Sequence, residues 1–164
     1  MEYQELKYHV NKKLKEAEYF LKQMKLLEKN GNVEEFQYML SAFLSSSRSV
    51  LQYLCKYRKD WYENNIDRVN LKTFFKHKRD VNIHEKTIDT VNQGSSSIYC
   101  SIDVVTADDN NENIDFLEFD NEIRDVVQQD YKFYFSDTDE SKTVVELSTK
   151  YLEQIKNILN NLNE

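Results

Sequence analysis

The chain has 164 residues, no proline, two glycines (Gly31 and Gly94), two cysteines and a net charge of −7. Its length suits one domain with a core that needs no disulfide staples, and its composition favours long helices over sharp turns. Two glycines exclude a glycine-rich phosphate loop, the absence of HExxH or paired-cysteine spacing excludes the familiar zinc motifs, and no apolar run reaches the ~18 residues of a membrane span.

The first helix is expected from Tyr3 to about Lys29, where Leu6, Val10, Leu14, Ala17, Phe20, Met24 and Leu27 recur at steps of three and four. Gly31 should end it. Asn32 with Glu35 forms a capping pair for a second helix whose inward face is Phe36, Met39, Leu40, Phe43, Ser47, Val50, Leu51 and Leu54. Serines 45–47 and 49 are small enough for a neighbouring helix to pack closely. A short helix is expected over Asp60–Asp67, with Trp61 and Tyr62 as core or interface anchors. The next helix begins near Asn70 and carries the aromatic-basic run Leu71 to Lys78.

That helix leads into Arg79-Asp80-Val81-Asn82-Ile83-His84. A guanidinium can hold a phosphate through two hydrogen bonds, and an imidazole titrating near neutrality can move a proton to or from a ribose hydroxyl. Asp80 and Asn82 are placed to orient either group by hydrogen bonding. On an ideal helix, residues five apart are offset by about 140°, so Arg79 and His84 of one chain do not share a face.

An arginine, a polar residue, three further residues and a histidine resemble the signature of the HEPN (higher eukaryotes and prokaryotes nucleotide-binding) superfamily. The likeness covers Met1 to about Thr87 and the closing helix. It implies an antiparallel helical bundle and a homodimer in which the two Arg/His motifs meet across the two-fold axis. It further implies a metal-independent endoribonuclease, of toxin or defence type, with Arg79 and His84 as catalytic residues and no cofactor. Its partners would be RNA and an antitoxin, in this superfamily often nucleotidyltransferase-like. The alternative is a HEPN-like dimer that binds nucleotide, RNA or a protein partner without cutting. A third reading is a helical scaffold that docks through its acidic sheet.

Charge is distributed unevenly along the chain. Residues 1–90 hold 17 Lys and Arg against 13 Asp and Glu, leaving 5 against 16 for residues 91–164. The mildly basic half is the one with the motif, and Lys76, His77, Lys78 and Arg48 are its candidate RNA-binding side chains. His9 lies off the apolar stripe and is expected at the surface.

After Thr87 the helical pattern decays, and Gln93 to Ser97 reads as a loop. Alternation then predicts strands at 98–104, 116–119 and 131–135, with the acidic stretch 107–113 as a connection. Its carboxylates lack the glycine and spacing of a calcium loop, so no metal site is expected. Ser141 to about Leu162 should form the closing helix, with Thr143 and Glu146 as a capping box. The fold class is therefore mainly α, with a small antiparallel β insertion before the C-terminal helix. A single domain is expected, divided into a helical portion (1–92), an acidic β-rich insertion (93–137) and a closing helix (138–164). Cys55 and Cys100 lack regular spacing and are expected to be reduced and buried. With the polar opening Met1-Glu2-Tyr3-Gln4-Glu5, the expected location is the cytoplasm.

Overall fold

The computed structural model describes residues 1–85, 88, 90–99, 126–138 and 141–163. The fold is mainly α. Its helices are α1 (Tyr3–Asn30), α2 (Val33–Tyr57), α3 (Lys59–Asn65), α4 (Lys72–His84) and α5 (Val144–Asn160), with an antiparallel strand pair, β1 (Thr90–Tyr99) and β2 (Val126–Phe135), between α4 and α5. Among the described residues no helix is long and apolar enough to cross a membrane.

The helix boundaries follow local chemistry. Gly31 takes φ +66°, and its N–H returns to the Glu28 carbonyl, so α1 ends in a left-handed residue that a side chain would strain. Asn32 Oδ1 then accepts from the Glu35 N–H at 3.1 Å and opens α2. At α5, Thr143 Oγ1 accepts from Glu146 N–H at 3.1 Å while the Glu146 carboxylate accepts from Thr143 N–H at 2.8 Å, a complete capping box. The start of α4 is held from a distance: the Leu71 N–H donates to Gln154 Oε1 of α5 at 3.2 Å.

With a two-residue connection, α1 and α2 form a helical hairpin that supplies most of the core: Leu6, Val10, Ala17, Leu21 and Met24 from one helix, Phe36, Leu40, Phe43, Val50, Leu51 and Leu54 from the other. The rest closes on this pair. Tyr151 of α5 stacks on Phe75 of α4, with ring centroids 4.2 Å apart and planes 2° from parallel. Tyr3 Oη donates to the Leu162 carbonyl at 2.8 Å, and Trp61 Nε1 to the Asn161 carbonyl at 3.4 Å, fastening the end of α5. Trp61 and Tyr62 are partly buried against the core, as the sequence suggests.

The strand pair differs from expectation. Among the described residues the sheet has two strands, in register from Thr90↔Phe135 to Tyr99↔Val126. Gln93 to Ser97, read as a loop, lies inside β1. Serine-rich composition hides a strand whose order comes from its pairing with β2, and Gly94 stands opposite Tyr131, whose ring lies 3.3 Å from where a Cβ would sit. The sheet thus begins before the insertion boundary expected at residue 93. Phe133 and Phe135 alternate inward as anticipated. The strand expected at 98–104 enters the described residues only through Ile98 and Tyr99, both in β1, while 116–119, the acidic stretch 107–113 and Cys100 lie outside them. Cys55 is free among the described residues and exposed on α2, not buried, because it follows the inward Leu54 by one residue and so points about 100° away from the stripe.

Glu28 joins hairpin and sheet. Nearly buried at the end of α1, it accepts from the Phe133 N–H at 3.3 Å, with Lys132 Nζ at 3.7 Å. Burial outweighs these contacts and pushes its carboxyl above the ordinary 4.5. The folded state therefore penalises the ionised form, fully above the folded pKa and not at all well below 4.5. Glu28→Gln, which keeps an acceptor for Phe133, should raise the urea midpoint at pH 7 and lose that advantage as the pH is lowered toward 4. Gly31→Ala should cost at least about 1–2 kcal/mol through its left-handed φ, with a further loss because the new Cβ would lie 2.7 Å from the Tyr131 ring, read by the same unfolding assay; no loss would mean that the turn relaxes freely.

Candidate functional site

Arg79 and His84 lie on α4 with no break in the helix between them. The inward side of α4 is set by Phe75, Lys78 and Asn82, three or four residues apart. Arg79 stands at the edge of that side and His84, the last helical residue, on the outside. One protomer therefore does not direct both side chains at one phosphate.

The Arg79 side chain is 25% exposed, and Nη1 donates to Asp80 Oδ1 at 3.1 Å. Its Nε is buried and has no hydrogen-bond partner among the described residues. An unpaired guanidinium donor at that depth is costly to bury. Asp80, expected as a support, does meet the guanidinium. Asn82, the other expected support, turns inward instead: its Nδ2 donates to Ser41 Oγ of α2 at 2.7 Å. His84 is exposed and has no hydrogen bond or ion pair among the described residues.

The candidate RNA-binding residues separate. Lys76 and His77 are exposed on α4, and Arg48 is half-buried on α2 with its charge near Tyr151. Lys78 is not on the surface. It is 3% exposed, paired with Asp137 just beyond β2, and its ammonium lies 4.7 Å from the Phe135 ring centroid and 5.1 Å from that of Phe74. Helical period explains the correction: three residues after Phe75, Lys78 falls on the buried stripe, and aromatic faces with one carboxylate make that tolerable. His9, expected at the surface, has 37% of its side chain exposed and stacks on Tyr53 with centroids 5.8 Å apart. No group of three His, Cys, Asp or Glu side chains is placed to hold a metal among the described residues.

Beside Asn82, the sequence reading missed a cavity of about 170 Å³ lined by Gln37, Tyr38, Leu40, Ser41, Asn82 and Ile88. Its one visible signal was Tyr38, an aromatic off the buried stripe of α2 and 58% exposed. No protein-family model, curated protein or solved structure matches the chain.

The Lys78–Asp137 contact has a definite pH signature. The hydrogen bond from Lys78 holds the Asp137 carboxyl below its usual 3.8, so the stabilisation is present at neutral pH and is lost as pH falls through that lowered value. Asp137→Asn should lower stability at pH 7 by about 1–2 kcal/mol, discounted for an exposed carboxylate facing a buried ammonium. The gap from wild type should close in acid titrations below pH 3.8; a gap that stays constant across that range would mean the two side chains do not pair.

Proposed function

We propose that this chain is a metal-independent endoribonuclease of the HEPN type, acting as a homodimer with Arg79 and His84 at a composite site. The observation that carries the reading is the Arg79 guanidinium: 25% exposed and, among the described residues, hydrogen-bonded only to Asp80, on the same helix as an exposed imidazole that faces elsewhere. A second copy would bring its own imidazole toward that guanidinium, and a phosphate would bind at its exposed edge, the buried Nε taking no part. Ile83, 45% exposed between the two motif residues, gives α4 an apolar contact for such an approach.

In this mechanism neutral His84 takes the proton from the ribose 2′-hydroxyl as the 2′-oxygen attacks the adjacent phosphorus. Arg79 neutralises charge growing on the non-bridging oxygens. The bond to the 5′-oxygen breaks, that oxygen is protonated by the imidazolium of one of the two copies, and a 2′,3′-cyclic phosphate and a 5′-hydroxyl result. Lys76 and His77, exposed a turn upstream, would meet the flanking backbone.

His84→Ala should abolish cleavage of total RNA in EDTA while leaving RNA affinity nearly unchanged, since an imidazole acts mainly in the transition state. Arg79→Ala should lose cleavage and also some affinity, by roughly 1.5–3 kcal/mol for a charge-assisted bond already present in the ground state. Gel assays and light scattering on the three proteins test this. Cleavage that persists in His84→Ala, or needs added magnesium, would transfer the case to a dimer that binds nucleotide, RNA or protein without cutting; a strict monomer would remove the composite site.

A further inference from the structure

The cavity between α2 and the end of α4 has the properties of a base pocket. At about 170 Å³ it is smaller than the ~300–1,000 Å³ of sites for drug-sized ligands, so it suits one planar ring system and not a whole nucleotide. Leu40 and Ile88 supply apolar walls. Gln37, Ser41 and Asn82 supply amide and hydroxyl groups: Asn82 uses its Nδ2 on Ser41 at 2.7 Å and Gln37 its Nε2 on Thr90 at 3.5 Å, and among the described residues neither carbonyl oxygen is taken by a donor. At the rim Tyr38 is steadied by its hydroxyl, which donates to Glu34 at 2.5 Å, while its ring remains exposed. Unpaired bases are recognised by such a combination, an aromatic face for stacking with amides for the base edge.

Position gives the cavity its meaning. Asn82 lines it and lies one turn along α4 from Arg79, about 4.5 Å in axial rise. We infer that this pocket receives an unpaired nucleobase of a single-stranded RNA next to the phosphate held by Arg79, and that Tyr38 and Gln37 set the base preference. The inference rests on the ribonuclease reading for the RNA strand, but not for the pocket's affinity for a base.

The test separates the two. Isotope-labelled wild-type protein is titrated with each of the four nucleoside 5′-monophosphates, following the side-chain amide signals of Gln37 and Asn82, and the ends of RNA fragments produced by wild type, Tyr38→Ala, Tyr38→Phe and Gln37→Ala are sequenced. The expected result is that one or two of the four nucleotides shift both amides. Tyr38→Ala, at an exposed site that should not disturb folding, should weaken that binding by about 5- to 150-fold, and Tyr38→Phe should retain it because the ring is kept. Gln37→Ala should broaden the bases found at the cut. Shifts at both amides without any RNA cleavage would uphold the pocket and sink the ribonuclease reading. Cleavage with the same base preference in all variants, or four nucleotides that leave both amides unmoved, would overturn the pocket.

Discussion

Phe133 and Phe135 stand two residues apart on β2 and both face the helices, one stacked on Phe36 with centroids 4.2 Å apart, the other edge-on to Phe74 at 5.4 Å. The period of a strand is two, so slipping β2 by one residue would turn Lys132 and Tyr134 inward and carry both phenylalanines to solvent. That register is what places the other parts. It sets the Phe133 N–H on Glu28, and it brings Asp137 to the Lys78 ammonium beneath the Phe74 and Phe135 rings. Since Lys78 is next to Arg79, the rotation of α4 about its axis, and with it the placement of Arg79 and Asn82, depends on a strand more than fifty residues away.

Both charged groups at this junction are buried at some cost. Glu28 is the less comfortable, with burial outweighing one backbone donor and a half-exposed lysine. Yet its carboxylate satisfies an N–H that would otherwise be unpaired beneath the sheet, and a strand edge with an unmet donor is penalised by about 1–3 kcal/mol. Lys78 has more help, from a carboxylate and two aromatic faces. These contacts are specific in geometry, which suits a junction that must hold one register.

The helices and their caps were legible because their determinants are local. Gly31, the Asn32/Glu35 pair and the Thr143/Glu146 box each act within three or four residues. The strand through Gln93 to Ser97 was not, since polar residues become a strand there only through a partner some thirty to forty residues later. Lys78 was half legible: the three-residue step from Phe75 places it inward, but nothing local announces Asp137, and the neighbouring Lys76 and His77 invite an exposed reading. In the candidate site, the motif could be read as a string and its inability to converge followed from helical period. The cavity beside Asn82 is a product of packing between α2 and the end of α4, and the burial of the Arg79 Nε is likewise a property of the folded chain that the string does not encode.

The bond from Tyr3 to the Leu162 carbonyl spans 159 positions of sequence, and the same helix pairing joins Lys156 of α5 to Glu18 of α1 at 2.5 Å. During synthesis, therefore, α1 and α2 can meet as soon as both have emerged, whereas the side of α1 that carries Val10, Leu14 and Leu21 waits for Leu152, Leu159 and Leu162. At roughly 5–20 residues per second that wait lasts several seconds, with an apolar helix face open to the solvent and to neighbouring nascent chains. The lysines spaced along α1, among them Lys15, Lys22 and Lys25, lie on its exposed side throughout that interval. Their mutual repulsion between chains opposes association until α5 arrives to cover the gap.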